Sequence, residues 1–332
     1  MRLGVVDVGS NTVRLVIAER DGELPLPVYT SKRRLRLAER AAADGRLGRG
    51  AIDRLVEAVG QVVKEAADWG VSDPFVFATS AVRAAPNREE VLAEVQARTG
   101  MDLFVMSGQM EAELSFLAAR QWMGWQAGAM VLLDIGGGSL EIASGRGTTP
   151  DFAVSLPLGA GRLTREHLAE DDVPDATALR QVRRRIRHEL RDAAARIQWE
   201  NPRTAVATSR TFHQLGRLCA AQNGRKAPKK PGRLVRRDLK AALGTLARLP
   251  ARERAALPGI SAARARQSLA GAIVAHTTMR CLEIDQVVLC PWALREGVLL
   301  TALEEDSPFR QYTSSTRTQT ETEPTGLSAS VG

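Results

Sequence analysis

The N-terminal residues follow the apolar pattern of two consecutive β-strands. Residues 3–8 (LGVVDV) form a short apolar run typical of a buried strand, and the small polar turn GSNT follows it. The next segment, VRLVIAER, is rich in β-branched residues, which favour a second strand that returns beside the first. The chain is therefore predicted to open with a β-hairpin.

Helical and extended patterns then alternate up to about residue 125. Residues 51–69 place their apolar side chains on one helical face, and Gly70 follows as a stop signal. Further strands are predicted at 74–80 and 103–106, and helices at 88–98 and from 108 to about 122. Asn87 and Glu90 are predicted to cap the first of these two helices. This alternation indicates the α/β class.

The second half of the chain restarts the strand pattern and then turns mostly helical. MVLLDI at 130–135 is predicted to be a strand, and helices are predicted to fill much of 175–300. The segment 223–237 (NGRKAPKKPGRLVRR) is predicted to be a basic loop broken by Pro and Gly. From residue 305 on, the chain is rich in Ser and Thr, which predicts a disordered tail.

The strand ends at Asp7 and Asp134 are followed by closely similar turns. DVGSNTVRLV at the first position aligns with DIGGGSLEIA at the second, 127 residues later. We find no other convincing repeat, so the pattern favours duplication of one domain over a solenoid. A chain of 332 residues suggests two domains. They are predicted over about 1–125 and 126–304, with the tail at 305–332.

In each copy, an acidic residue ends a strand and a Gly-rich turn leads into the next strand. Such turns let backbone N–H groups approach an anion closely. The candidate phosphate-binding residues are Gly9, Ser10, Asn11, Gly136, Gly137, Gly138 and Ser139. A Walker loop or a Rossmann fingerprint would open a helix instead, and GxxxxGK[ST] is absent from both copies. Two ordinary β-turns are the alternative, and the repetition at one-domain spacing argues against it.

A net charge of +8 indicates an anionic partner. Basic residues cluster on a helical stripe, in the 223–237 loop and in a short run near residue 33. The stripe is Arg180, Arg184, Arg187 and Arg191 beside a buried face of Val182, Ile186, Leu190 and Ile197, and the short run is Arg33, Arg34 and Arg36. Each cluster suits either a polyanion track or a solvated surface. Nucleic acid is not expected, because two Tyr and seven Phe offer little for base stacking.

Cysteine usage and hydropathy suggest where the protein works. Three cysteines without CxxC spacing argue against a disulfide framework or a zinc ribbon, and they fit a reducing compartment. No stretch reaches the ~18 apolar residues of a membrane span, and the N-terminus lacks the pattern of a signal peptide. The predicted location is the cytoplasm, with no membrane partner, and a homodimer is compatible with these features.

Six motifs, taken together, resemble the exopolyphosphatase/guanosine pentaphosphate phosphohydrolase (Ppx/GppA) family. They are DVGSNT (7–12), TSAVR (79–83), SGQMEAELSFLA (107–118), DIGGGSLEIA (134–143), SLPLGAGRLT (155–164) and CPWALREG (290–297). They reach up to about residue 304, and the last matches the short, two-domain branch of the family. The resemblance implies two duplicated actin-like (ribonuclease H-like) domains with an inter-domain cleft. The resemblance is also compatible with a helix after Pro291 that packs against the first domain.

The resemblance also implies roles for individual residues. Glu111 lies where the family has its catalytic carboxylate, the group that orients and deprotonates the attacking water. Arg83 corresponds to the phosphate-binding arginine, which stabilises charge on the transferring group. Asp7, Asp134 and Glu141 are the implied ligands of Mg²⁺, or Mn²⁺ in its place, and Asp134 is also counted among the catalytic residues.

The implied function is release of terminal phosphate from inorganic polyphosphate. One alternative is removal of the 5′ γ-phosphate of guanosine pentaphosphate (pppGpp), a reaction of the stringent response. Another is a regulator that binds (p)ppGpp or polyphosphate with little turnover, motivated by departures from the family pattern at Ala84, Met110, Glu113 and Ala263. A kinase or chaperone-like ATPase is disfavoured, because 207–218 (ATSRTFHQLGRL) lacks the Gly-Gly pair those proteins use near adenosine.

Overall fold

Two mixed β-sheets organise the chain in a computed structural model that describes residues 2–21, 24–37, 41–42, 44–168, 173–224 and 232–302. The first sheet has the order β3-β2-β1-β4-β5, and the second has the order β10-β11-β9-β6-β7-β8. The first comprises β1 (Arg2–Val8), β2 (Thr12–Asp21), β3 (Leu24–Arg34), β4 (Phe75–Ala78) and β5 (Phe104–Val105). The second comprises β6 (Met130–Ile135), β7 (Leu140–Gly145), β8 (Phe152–Leu156), β9 (Thr204–Thr208), β10 (Arg233–Val235) and β11 (Gln286–Leu289).

The helices alternate with these strands and account for most of the remaining described residues. They are α1 (Arg49–Asp68), α2 (Ser80–Arg83), α3 (Arg88–Thr99), α4 (Gly108–Met123), α5 (Ala160–His167), α6 (Ala176–Glu189), α7 (Arg191–Glu200), α8 (Ser209–Gln222), α9 (Arg236–Ala247), α10 (Ala251–Arg254), α11 (Ala265–Cys281) and α12 (Leu294–Thr301). Within the described ranges, no helix has the length and apolarity needed to cross a membrane.

The two sheets repeat one topology, which confirms the predicted α/β class and its duplication. In each, three antiparallel strands (β1–β3 and β6–β8) are joined through the first of them to two parallel strands, β4 and β5 or β9 and β11. The register places Asp7 opposite Arg14 in the first hairpin and Asp134 opposite Glu141 in the second. The second sheet adds β10 as an antiparallel edge strand.

The structure reveals a second internal repeat, which was not predicted from the sequence. The tripeptide Ala-Thr-Ser occurs at residues 78–80, where β4 ends, and again at 207–209, where β9 ends. The amide of Met106 donates to the Ala78 carbonyl, and that of Cys290 donates to the Ala207 carbonyl, each at 2.9 Å. Three residues are too few to stand out in sequence, and only the equivalent sheet positions identify them as a repeat.

Helices α4 and α12 lie between the two sheets. Leu114 of α4 packs with Phe77 of the first sheet and with α12. Phe116, on another face of α4, packs with Leu132 of the second sheet. The helices cross closely at Gly297, where a Cβ atom would lie 2.1 Å from the Leu114 carbonyl oxygen. Because α4 is buried on two faces, its packing against both sheets fixes the position of its N-terminal turn, which carries Glu111.

Two sequence predictions at element ends are only partly correct. The strand predicted at 74–80 ends at Ala78, because Thr79 and Ser80 turn into the short helix α2. Asn87 occupies the N-cap position of α3, and its Nδ2 donates to the Glu90 Oε2 at 3.0 Å, but its side chain makes no hydrogen bond to the helix backbone. The side chain of Asn87 also bonds to the backbone of Leu47. Its Oδ1 accepts from the Leu47 N–H at 3.0 Å and its Nδ2 donates to the Leu47 carbonyl at 2.9 Å, so it holds the loop around Leu47 against α3.

The basic segment at 223–237 is only partly a loop. Residues 225–231 lie outside the described part of the chain, whereas 233–235 form β10 and Arg236 begins α9. The predicted tail also lies outside the described residues. The apolar face predicted beside the arginine stripe is confirmed, because Val182, Ile186, Leu190 and Ile197 are all buried.

Candidate active site

The two Gly-rich turns have the same backbone geometry. In the first, the Gly9 amide donates to the Thr12 carbonyl at 3.0 Å. In the second, the Gly136 amide donates to the Ser139 carbonyl at 2.9 Å. Each bond closes the hairpin just after the strand that carries the aspartate, so Asp7 and Asp134 occupy equivalent positions in the two sheets.

The two turns face and touch each other. A Cβ atom on Gly137 would lie 2.8 Å from the Ser10 Cβ, and one on Gly138 would lie 2.6 Å from the Ser80 Oγ. The hydroxyls of Ser10 and Ser80 are 3.3 Å apart. A larger side chain at either glycine would push the turns apart, so glycine is required at both positions by this close approach.

Helix α5 binds two backbone carbonyls of the second Gly-rich turn. The amide of Ala160 donates to the Gly136 carbonyl at 3.0 Å, and that of Arg162 donates to the Gly137 carbonyl at 2.9 Å. With the Gly136 amide used in the turn, the Gly137 and Gly138 amides are left without a backbone acceptor among the described residues. Amides in this state are suitable donors for a phosphate oxygen.

Four carboxylates converge where the turns meet: Asp7, Glu111, Asp134 and Glu141. Burial raises the pKa of each of them, and for Glu111 the value reaches about 7. Mutual repulsion adds to the effect of burial, because Asp134 and Asp7 raise the pKa of Glu111, and Glu111 raises that of Glu141. Such a cluster of acids is costly in the absence of a cation, which indicates a functional rather than a structural role.

Arg83 is the central contact of the candidate catalytic carboxylate. Its Nη1 donates to the Glu111 Oε2 and to the Met106 carbonyl, both at 2.8 Å. Its Nη2 donates to the Oγ of Ser155, a residue of the second sheet, at 3.4 Å. Ser155 in turn donates to the Glu141 Oε1 at 2.8 Å. Arg83 therefore connects the two domains through a chain of hydrogen bonds that ends on two of the four acids.

We expect Glu141→Gln to raise stability at alkaline pH. The folded-state pKa of Glu141 is raised by burial, and further by Glu111 and Asp134, so the folded protein holds this proton more tightly than the unfolded chain. Stability is therefore lost as pH rises above the ordinary carboxyl pKa of about 4.3. Without ligand at pH 8, the variant should be more stable by about 1–2 kcal/mol in urea unfolding.

The expected gain should disappear below pH 4, where wild-type Glu141 is protonated in both states. Glu113→Gln is the matched control, because Glu113 lies outside the acid cluster and accepts a hydrogen bond from Gln109. A Glu141→Gln protein no more stable than wild type at pH 8 would contradict the prediction.

A cleft of about 530 Å³ opens from the turns, and cations from both domains line it. They are Arg14, Lys32, Arg34, Arg36, Arg210, Arg217, Arg264 and Arg295. Burial, followed by repulsion from Arg295 and Arg210, lowers the pKa of Arg14 to about 10. Burial and neighbouring arginines lower the pKa of Lys32 as well. Cations that repel one another in this way favour an anionic ligand.

Only a small part of this wall is predictable from the sequence. Of the short run near residue 33, Arg34 and Arg36 line the cleft, whereas Arg33 bonds to Gln61 and Glu65 on the other side of β3. The stripe on α6 and α7 does not reach the cleft. Arg14 sits directly opposite Asp7 in the hairpin register, so strand alternation was the one signal by which it could have been found.

The acid cluster suits a cation that takes few protein ligands. Asp134 uses its Oδ2 to accept from Thr208 at 2.8 Å, and the Asp7 Oδ2 lies 3.7 Å from Arg295. Within the described ranges, no three His, Cys, Asp or Glu side chains are grouped so as to hold a metal ion. Mg²⁺ is commonly bound by one or two carboxylates together with substrate phosphates. Buried carboxylates beside open amides fit that mode, and not a closed protein cage.

Three of the four residues that depart from the family pattern have a local structural explanation. Met110 packs into the apolar cluster between the first sheet and α12. Glu113 accepts from Gln109 at 2.8 Å on the surface of α4. Ala263 lines the cleft beside Arg264, whose pKa is lowered by burial and by Arg210. Nothing in the structure explains Ala84.

The duplicated sheets, with their facing hairpins, define a two-domain, actin-like fold with an inter-domain cleft. The same fold occurs in an exopolyphosphatase from Cytophaga hutchinsonii (TM-score 0.83, 23% identity, 91% of this chain and 98% of that one). It also occurs in the Ppx/GppA family member of Aquifex aeolicus (TM-score 0.73, 25% identity, 91% and 97%).

Sequence comparison identifies the family. The model of the Ppx/GppA phosphatase family matches residues 15–306, and the chain belongs to this family. It is 44% identical over 309 residues to exopolyphosphatase 1 of Mycobacterium leprae, covering 92% of this chain and 91% of that protein. It is 23% identical to the guanosine-5'-triphosphate,3'-diphosphate pyrophosphatase of Aeromonas salmonicida, covering 89% of this chain and 58% of that longer protein.

Proposed function

We propose that this protein is an exopolyphosphatase, which releases the terminal phosphate of inorganic polyphosphate. The observation that carries the proposal is the cationic wall of the cleft, to which both domains contribute. A linear polyanion can contact cations along the whole wall while its end reaches the acid cluster, and the positive field would also steer it there. The kinship with exopolyphosphatase 1 of M. leprae supports the same substrate.

In the proposed reaction, Glu111 orients a water molecule toward the terminal phosphorus and accepts its proton. The water oxygen forms the new P–O bond, and the bond from phosphorus to the bridging oxygen breaks. The bridging oxygen keeps the electron pair and becomes the new chain end. A carboxylate with a pKa near 7 suits a general base that works at neutral pH. Arg83 stabilises charge on the transferring group.

The amides of the two turns are proposed to hold the terminal phosphate. Ser10 and Asn11 act from the first turn, and Gly137, Gly138 and Ser139 from the second, while Gly9 and Gly136 shape the loops. Asp7, Asp134 and Glu141 are the proposed carboxylates for Mg²⁺ or Mn²⁺, of which one or two would bind the ion directly together with substrate phosphates. When bound, this ion would neutralise charge on the phosphate oxygens. Its presence would also relieve the repulsion among the four acids.

Hydrolysis of pppGpp is the second candidate, supported by the relative from A. salmonicida. Ile260 and Leu294 give the cleft a small apolar surface among its cations, which offers limited contact for a guanine base. For this reason we propose polyphosphate, rather than pppGpp, as the substrate. Phosphate release from pppGpp with a higher kcat/KM than from any polyphosphate would reverse the order.

The test is phosphate release from short and long polyphosphates and from pppGpp with Mg²⁺, for wild type beside Glu111→Gln. Release that depends on Glu111 supports the proposed enzyme. Tight binding of a substrate, with turnover no faster than that of the variant, would instead support the regulatory alternative. Omitting Mg²⁺ and adding a chelator tests the metal in the same assay.

Lys32→Ala is expected to weaken binding of long polyphosphate without changing kcat. Lys32 lines the cleft on β3, which does not carry the acid cluster. We expect KM for long chains to rise about three- to tenfold at low salt, with a smaller effect at high salt. The readout is KM as a function of NaCl concentration. Arg180→Ala, on the exposed stripe of α6, is the control that removes equal charge, and an equal effect there would mean that net charge alone is responsible.

A further inference from the structure

A second cavity lies behind the Gly-rich turn of the second domain, on the far side from the cleft. This rear cavity has a volume of about 430 Å³, and its lining includes Ser80, Arg83, Gly108, Gln109, Gly138 and Arg162. Ser80 also lines the cleft. The two spaces are therefore separated by little more than the contact between Ser80 and the turn at Gly138.

The rear cavity differs from the floor of the cleft in its charge. Two arginines, Arg83 and Arg162, line it, and no carboxylate does among the described residues. The cleft floor, in contrast, carries Asp7, Glu111 and Asp134. Free inorganic phosphate bears one to two negative charges, so it is repelled by the acids and attracted toward the arginines, of which Arg83 shares its charge with Glu111.

Polar groups in the rear cavity are suited to a small tetrahedral anion. The Nε of Arg162 is buried and has no acceptor among the described residues. The Oγ of Ser80 lies beside Gly138, 2.6 Å from where a Cβ on that glycine would sit, and 3.3 Å from the Ser10 Oγ. The N-terminal turn of the 16-residue helix α4 borders the cavity at Gly108 and Gln109, and helix N-termini favour anions.

We propose that the rear cavity is a binding site for inorganic phosphate, through which released phosphate leaves while the shortened polyphosphate stays in the cleft. The route passes between Ser80 and Gly138, whose contact must open for phosphate to pass, and Arg83 lines the rear cavity while it contacts Glu111. This inference rests on the proposed hydrolysis for its role in turnover, but the phosphate site itself can be tested without catalysis.

The test is product inhibition by inorganic phosphate during polyphosphate hydrolysis. Because cleft and rear cavity can be filled together, wild type should show inhibition with a noncompetitive component. Arg162→Gln should weaken this component about ten- to hundredfold, the usual effect of losing a hydrogen bond to a charged group. KM for polyphosphate should be unchanged. Arg165→Gln, on the same helix but outside both cavities, is the matched control and should leave inhibition unchanged.

A second variant tests the same site without a substitution in α5, so that a structural effect of Arg162→Gln on this helix can be recognised. Gln109→Glu places a carboxylate at the cavity rim without altering Arg162, and it should weaken the same noncompetitive component. Purely competitive inhibition in wild type, or equal inhibition constants in wild type and both variants, would overturn the proposal.

Calorimetric titration with inorganic phosphate separates the two proposals. If wild type hydrolyses polyphosphate but Arg162→Gln binds phosphate as wild type does, only the rear site is rejected. If wild type hydrolyses no polyphosphate, the proposed function is rejected. The rear site then stands if Arg162→Gln binds phosphate ten- to hundredfold more weakly than wild type, and otherwise fails.

Discussion

Glu111→Gln is expected to lower kcat for polyphosphate hydrolysis by about 10²–10⁴-fold while leaving substrate affinity nearly unchanged. The amide keeps the size of the side chain and can still meet Arg83, but it cannot take a proton from water. Steady-state kinetics on one polyphosphate length give kcat, and equilibrium binding of the same substrate gives affinity. Glu113→Gln makes the same chemical change two residues further along α4, outside the acid cluster, and should keep full activity.

The pH profile gives this prediction a second readout. The pKa of Glu111 is raised to about 7, chiefly by burial, and the base must be ionised to act. In wild type, kcat/KM should therefore fall as pH drops below about 7. That limb should be missing from the residual activity of Glu111→Gln. A variant that keeps both the wild-type rate and the limb would remove Glu111 from the mechanism.

The sequence predicted the fold class because the duplicated hairpins are long and distinctive. β1, β2 and β6 carry continuous apolar or β-branched runs, and α1 has a clear apolar face. Other strands lacked such a signal. β9 and β11 have five and four residues and lie in a mostly helical region, so periodicity cannot distinguish them from loops. Pro27 argues against a strand, but it is tolerated in β3 because β3 is an edge strand.

The predicted site residues came from motifs, and the residues missed are those that only the fold brings near. The chain from Arg83 through Ser155 to Glu141 joins positions 72 and 14 residues apart in sequence. Ser155 lay within a recognised motif, but nothing in the motif indicated that its hydroxyl would face Arg83 across the domains. The cleft cations on α8 and near α11 are likewise isolated in sequence and converge only in three dimensions.

Arg83→Ala is expected to reduce kcat/KM by about 10²–10³-fold and to move the acid limb to higher pH. The rate falls because a preorganised positive charge is lost from the transferring phosphoryl group. The limb moves because Arg83 opposes the effect of burial on Glu111, both through its charge and through a hydrogen bond. Without Arg83, the pKa of Glu111 rises further, and less of the base is ionised at neutral pH.

Arg83→Lys distinguishes the two effects of this residue. Lysine retains the charge that lowers the pKa of Glu111, so the limb should stay nearer to its wild-type position. It lacks the planar fork that lets Arg83 contact Glu111, Met106 and Ser155 together, so most of the rate should still be lost. Arg88→Ala, an exposed residue paired with Glu89, controls for loss of charge nearby. If the limb stays in place in Arg83→Ala while the rate falls, Arg83 acts on the phosphate alone and the ion pair with Glu111 does not tune the base.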